Sequence, residues 1–322
     1  MMQRINLDPI VNGIRREIEE SLDGLGLFYR IFARGKTLDS ITHKIDRKPG
    51  HYNDKKKLQD IVGIRVVLYF SDDVDVVYSL LKAMPNYVDE SNSEKDIQQL
   101  DNDVNLEIGK LADKLFMPQR LNLIFRMPEN YTENLRMALD GLDISDKIDN
   151  TFELQVRTIF SEGWHEVEHD LRYKCSDDPM WSYCKEESRL LNGMYASLEA
   201  TEISMRSMFD NIAYKNFKHN DWSAMMRNKF CIRFEDNEIS NELINILNTE
   251  KQRIGKEFFK FRRPDLFVVL KSLPGRMPRK MDNFVFLLNR ATVKNQYILD
   301  LEPAPISDLF DRVNFAEYHK NN

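Results

Sequence analysis

The stretch N-T-F-E-L-Q-V-R-T-I-F-S-E-G-W-H-E-V-E-H-D-L-R-Y-K, from Asn150 to Lys174, decides the fold. It begins with a period of two. Phe152, Leu154 and Val156 fall on one side, Glu153, Gln155 and Arg157 on the other. That alternation marks a strand with one buried face. The period changes at Thr158. Ile159, Trp164, Val167 and Leu171 then recur at helical spacing, opposite a charged face holding His165, Glu166, His169, Arg172 and Lys174. A strand that sets an acid beside a base therefore runs straight into a polar-faced helix. Such a pairing suits a site handling a metal ion and phosphate. The plain alternative is a solvated strand face with cross-strand ion pairs.

Working outward, Leu58 to Phe70, L-Q-D-I-V-G-I-R-V-V-L-Y-F, is β-branched and nearly continuous in apolar character, as for a central strand. Asp60 and Arg65 interrupt it. Both are costly there unless paired or bound to a ligand. Upstream, Arg34 and Lys36 are read as a loop, followed by a helix presenting Ser40 and Lys44 four residues apart. Converging cations and a hydroxyl suit a polyphosphate; an ordinary surface helix with lysines is the alternative. Gln119 to Met127 alternates again, with Leu121, Leu123 and Phe125 on one side and Arg120, Asn122, Ile124 and Arg126 on the other.

The chain has 322 residues, 42% apolar and 30% charged, enough for a packed core and two domains. A net charge of −6 gives no global basic field for nucleic acid. The longest apolar runs are too short to span a bilayer, and the N-terminus lacks a signal-peptide core. Three cysteines, Cys175, Cys184 and Cys231, suit a reducing cytoplasm. Asp8-Pro9 opens a helix reaching Gly24. Ser71-Asp72 caps another to about Met84. Residues 86 to 114 read as a long connection with a short helix from Val104 to Leu115, and a helix fills 131 to 141. A long helix runs from Glu186 to Phe217. Beyond Asn220, Lys229 to Glu235 and Asn283 to Leu288 read as strands, and Ile239 to Asn248 and Pro264 to Ser272 as helices. Ten cations between Lys251 and Lys280 interleave with Phe258, Phe259, Phe261 and Phe267. They fit either a nucleic-acid surface or a core face with solvated cations.

Four segments in order resemble the RelA/SpoT synthetase domain: Arg34-x-Lys36-x-x-x-Ser40-Ile41-x-x-Lys44; Asp60-Ile-Val-Gly63-Ile64-Arg65; Glu153-x-Gln155-x-Arg157-Thr158; and Trp164-x-x-x-Glu168-His169-x-Leu171-Arg172-Tyr173-Lys174. The resemblance covers about residues 10 to 215. It implies an α+β fold, a mixed β-sheet flanked by helices over 1–219; outside the resemblance, the composition shift near Asn220 is read as a small α+β or helical accessory domain over 220–322. The implied chemistry moves pyrophosphate from ATP to the 3′-hydroxyl of an acceptor nucleotide, as in guanosine tetra- and pentaphosphate metabolism. By the same resemblance Asp60 and Glu153 are catalytic and hold Mg²⁺. Arg34 and Arg65 flank the adenine, and Lys36, Ser40 and Lys44 hold the ATP phosphates. Gln155, Arg157, His169, Lys174 and Asn122 form the acceptor side or the site wall. Phosphoryl-type transfer needs alignment and charge neutralisation more than covalent help, and two carboxylates with Mg²⁺ ringed by cations supply both.

One departure stands out. The family has a loop, glycine-tyrosine-(Arg/Lys)-Ser-(Ile/Leu)-His, whose tyrosine stacks on the acceptor guanine. Here Met117 and Pro118 align with the glycine and tyrosine, and Asn122 with the histidine. The acceptor is therefore left open among GDP or GTP, an adenine nucleotide and a tRNA 3′ end, the last used by toxic relatives. Homo-oligomerisation and regulation through 220–322 also stay open, and no membrane partner is expected. Two other readings compete. One is a catalytically silent nucleotide sensor or interaction protein. The other takes His165-Glu166-Val167-Glu168-His169 as the H-E-x-x-H of a zinc peptidase. His169-Asp170 lacks the upstream partners of an HD-type hydrolase, so synthesis without a dedicated hydrolase is expected.

Overall fold

The computed structural model describes residues 5–53, 55–92, 121–173 and 183–315. Two compact units emerge. The first comprises Met1–Glu19 and Tyr29–Glu202, the second Glu20–Phe28 and Ile203–Asn322. The division falls inside the long helix rather than after it at 219, and the segment 20–28 joins the second unit.

The first unit is built on five strands: β1 (Tyr29–Gly35), β2 (Val62–Leu68), β3 (Tyr87–Asn92), β4 (Leu121–Arg126) and β5 (Thr151–Thr158). Their order is β1-β2-β5-β4-β3. β2 and β5 run parallel, and every other neighbouring pair is antiparallel. The sheet is thus mixed, as the resemblance implies. Its apolar face carries Ile64, Val66, Leu68, Leu123, Phe125, Phe152, Leu154 and Val156, all buried. Phe125 and Phe152 sit in register and stack at 5.2 Å, which adds a preferred ring geometry to plain area burial.

Helices α1 (Asp8–Gly24), α2 (Leu38–Asp46), α3 (Val74–Lys82), α4 (Glu129–Leu139) and α5 (Ile159–Glu168) flank the sheet; a π turn spans His169–Tyr173, and α6 (Lys185–His219) follows. The strand-to-helix switch at Thr158 is a reciprocal cap. Ser161 N donates to Thr158 Oγ1 at 3.2 Å, and Thr158 N donates to Ser161 Oγ at 3.0 Å. This satisfies helix-end donors where β5 becomes α5. Trp164 is fixed by donating its indole N–H to Leu191 O at 2.9 Å and by an edge contact with Tyr195. The apolar face expected on α5 is only partly buried: Trp164 is covered, while Ile159, Val167 and Leu171 are exposed.

Three other sequence expectations need correction here. Arg34 lies in strand β1, not in a loop, and β3 begins inside the supposed connection at 86. The expected helix at 104–115 lies outside the described residues. In the second unit neither expected strand appears among the described residues: 283–288 lies inside the helix α11 (Met281–Ala291), while 229–230 end the helix α7 (Trp222–Phe230) and 231–235 form no strand, with one isolated bridge pairing Asp236 and Lys280.

The rest of the second unit is α8 (Asn241–Thr249), α9 (Lys256–Lys260), α10 (Arg263–Ser272), α12 (Gln296–Leu299) and α13 (Ala304–Phe310), with a π turn at Lys251–Gly255. Phe258, Phe261 and Phe267 are buried core, and Phe259 stacks on Phe217 at 5.4 Å. Arg263 is itself buried, donating to Phe230 O at 2.6 Å and Cys231 O at 3.3 Å. The basic-aromatic stretch is therefore a core face, not a stacking platform for nucleic acid. No helix among the described residues is long and apolar enough to cross a membrane.

Candidate active site

The second face of the sheet is polar, and register decides which of its side chains meet. Residues opposite one another in a ladder share a face. One row holds Arg34, Gly63, Glu153 and Ile124; the next holds Phe32, Arg65, Gln155 and Asn122. Glu153, Gln155 and Arg157 alternate along β5 with the buried Leu154 and Val156, as the period of two predicts.

Asp60 stands just before β2. The approach to it is pinned beside β5: Leu58 N donates to Lys147 O at 2.8 Å, Asp149 N to Leu58 O at 2.9 Å, and Thr151 Oγ1 to Gln59 O at 3.2 Å. Lys36 continues the β1 ladder by donating its N–H to Ile61 O at 2.8 Å. Its ammonium is 2.5 Å from Asp60 Oδ2, and that of Lys44, from α2, is 2.6 Å from the same oxygen. Burial raises the Asp60 pKa, but the two lysines outweigh it and hold the carboxyl below its ordinary range. At Lys36, burial and the neighbouring ammonium win over Asp60, and its pKa falls. At Lys44, burial is outweighed by the bond to Asp60, and its pKa rises.

The other oxygen, Asp60 Oδ1, is buried with no hydrogen-bond partner among the described residues. A half-buried, ionised carboxylate whose second oxygen is shut off from water without a partner is a costly feature without a ligand. It is what a hard divalent cation takes up. Glu153, reached by Gln155 Nε2 only at 3.4 Å, is the second oxygen donor on this face. Among the described residues no three His, Cys, Asp or Glu side chains form a ready-made cage. Mg²⁺ is commonly held by one or two carboxylates with phosphate oxygens and water, and Asp60 and Glu153 are the carboxylates that would hold it.

Arg65 does not stand free. It donates to Gln155 Oε1 at 3.2 Å and pairs at 2.5 Å with both Glu162 and Glu166 of α5. Burial opposes its charge, and the two glutamates outweigh burial, raising its pKa. Arg157 bridges to Glu162 at 3.4 Å and to Gln155 Oε1 at 3.3 Å. The helix after β5 thus clamps the arginines of the sheet. Glu162 was not among the residues singled out in the sequence, and nothing local marks it.

Ser40 sits in the first turn of α2, with its hydroxyl 2.9 Å from that of the cap residue Thr37. Thr37 also went unremarked, although T-x-x-S before an apolar helix is a capping signal. His169 opens the π turn, its Nδ1 3.2 Å from Asp170 Oδ1. Lys174, and Met117 and Pro118 of the altered acceptor loop, lie outside the described residues. The H-E-x-x-H reading loses its general base: Glu166 is engaged with Arg65, and no third ligand joins His165 and His169 among the described residues.

The site thus joins a mixed sheet with an acid–arginine face to an acid held by two lysines. Residues 33–178 match the family described as the region found in RelA/SpoT proteins, and that stretch holds all four motifs. GTP pyrophosphokinase YwaC of Bacillus subtilis (strain 168) is 25% identical over 154 residues, 45% of this chain, and the chain spans 59% of that relative's length. Among solved structures, small alarmone synthetase 1 from Bacillus subtilis is 22% identical, with 63% of this chain and 94% of that one covered at a TM-score of 0.41. The same synthetase bound to its product pppGpp gives 21%, 63%, 95% and 0.39.

Proposed function

We propose that this protein is a pyrophosphokinase: it moves the β,γ-pyrophosphoryl group of ATP to the 3′-hydroxyl of an acceptor nucleotide. The observation that carries this reading is Asp60, pinned through one oxygen by Lys36 and Lys44 and bare at the other. ATP phosphates take the two ammonium groups from Asp60, so donor binding and exposure of the carboxylate are one event. Asp60 and Glu153 would then hold Mg²⁺, which supplies charge neutralisation for the migrating group. Arg65 and Arg157, braced by Glu162 and Gln155, would present guanidinium groups in fixed positions along the path. The bond formed joins the acceptor O3′ to the β-phosphorus. The bond broken joins that phosphorus to the bridging oxygen of the α-phosphate. AMP departs with the electron pair, and the hydroxyl proton leaves to solvent.

A guanine nucleotide is the acceptor of first choice, because the curated relative is named a GTP pyrophosphokinase. Adenine nucleotides and a tRNA 3′ end stay in the test because Pro118 replaces the family's stacking tyrosine. The test is transfer of label from γ-³²P ATP with Mg²⁺ to GDP, GTP, ADP, ATP or tRNA, each supplied alone. Label on GDP or GTP that vanishes in Asp60→Ala and Glu153→Ala supports the guanine assignment. Label only on another acceptor reassigns the substrate. No label on any acceptor refutes the pyrophosphokinase reading in favour of a silent nucleotide sensor.

A further inference from the structure

We infer that Phe32 is the base platform of the donor-nucleotide site, a role that rests on the donor-site reading above. Phe32 is 57% exposed, although it stands mid-strand in β1. Scattered surface phenylalanines need no explanation, but the place of this one does. It shares the site face with Arg65, its direct cross-strand partner, and with Gln155 and Asn122 in the same row. Its neighbours along that face, Arg30 and Arg34, are exposed as well. The ring therefore lies bare on a cationic face, beside an arginine whose guanidinium is fixed by Gln155, Glu162 and Glu166.

Direction and span support one occupant. Phe32, Arg34 and Lys36 fall on one face at successive i, i+2 steps, and Lys36 extends the ladder beyond the strand end. At ~3.3 Å per residue, Phe32 and Lys36 are roughly 13 Å apart along the strand. That is the scale of a nucleoside triphosphate from base to terminal phosphate. A phosphate chain on Lys36 and Lys44 thus leads its base back over Phe32, with Arg34 between. Arg65 is tied up by two glutamates, so the uncommitted π face on this row is Phe32. Any purine offers a matching face, and stacking of this kind is worth about tenfold or more in affinity per base.

The test compares binding of ATP and of inorganic tripolyphosphate, both with Mg²⁺, to the full chain by calorimetry. The variants are Phe32→Ala and Phe32→Trp. Phe32→Ala is expected to weaken ATP about tenfold and leave tripolyphosphate within twofold. Phe32→Trp is expected to keep ATP affinity and to show indole quenching by ATP but not by tripolyphosphate. ATP affinity unchanged in Phe32→Ala, or equal losses for both ligands, overturns the role of Phe32 alone. A wild-type chain that binds neither ligand overturns the donor site together with it.

Discussion

Lys44 reaches from α2 to place its ammonium 2.6 Å from Asp60 Oδ2, sixteen residues further along the chain. A cation expected at the donor phosphates and an acid expected at the metal are thus each other's partners. With Lys36 on the same oxygen, one carboxylate holds two ammonium groups and leaves a local excess of positive charge. Under the proposed function, binding is an exchange of anions on these two lysines.

Replacing Asp60 by Asn should separate binding from chemistry. Both lysines lose their carboxylate and become available to phosphate. ATP affinity measured without Mg²⁺ is expected to hold or rise. Transfer should fall by ~10²–10³-fold or more, the scale for removing one preorganised electrostatic group. Calorimetry with and without Mg²⁺, beside a turnover assay, reads both effects. Lost ATP binding with an intact fold would contradict the exchange.

Glu162→Ala should act through Arg65 and Arg157. Glu162 holds Arg65 at 2.5 Å and Arg157 at 3.4 Å. Loosening both is expected to lower kcat/KM ~10–100-fold, the scale of small misplacements in a positioned site. Glu162→Gln keeps an acceptor oxygen and should lose less. Circular dichroism checks that the fold survives, and steady-state kinetics read the loss. Equal, wild-type-like kinetics in both variants would show that the clamp is idle.

How much of this was visible in the sequence depends on the kind of burial. β5 and its switch to α5 were legible because Phe152, Leu154 and Val156 face the core and Glu153, Gln155 and Arg157 do not. β1 was missed: its outward row is Arg30, Phe32 and Arg34, its inward row ends in Ala33 and Gly35, and the apolar alternation breaks. α11 was misread for the opposite reason. Met281, Phe284, Val285, Phe286, Leu287 and Leu288 are all buried, and a helix buried all round shows no 3.6 period. Asp60, Lys36 and Arg65 stand out in the sequence as charges in or near apolar strands, and the fold sets Lys36 on Asp60 and Arg65 on Gln155. Glu162 does not stand out, since its partner Arg65 lies 97 residues away and only the fold brings them together.

A pH-dependent stability difference is expected at Glu202. It is buried in the first unit and accepts the backbone N–H of Ser71. Burial outweighs that bond and raises its pKa. A carboxyl raised above its unfolded value of about 4.3 favours folding most when protonated. That contribution is lost as pH rises from the unfolded to the folded pKa. Glu202→Gln stays neutral and keeps an acceptor. Its Tm advantage should therefore grow as pH rises from 4.5 to neutrality, reaching about 1 kcal/mol or ~2–4 °C. Thermal melts across that window check it. An advantage that is flat or shrinks with pH would contradict the assignment.

Gly255 closes the π turn beneath Trp222, and a Cβ there would run into the indole ring and lie 3.5 Å from Phe217. Gly255→Ala is expected to destabilise the second unit by about 1–3 kcal/mol through overpacking. Limited proteolysis and thermal melts should both report it. A variant as stable as the parent would mean that Trp222 can move aside.

The most direct test of the central claim is transfer of ³²P from γ-labelled ATP by the full chain with Mg²⁺ and GDP or GTP, run beside Asp60→Ala and Glu153→Ala. A labelled guanine nucleotide carrying a 3′-pyrophosphate, formed by the parent chain and absent with either variant, is the predicted result. Labelled product formed equally by the parent and both variants, or no transfer to any nucleotide or tRNA acceptor, would contradict it.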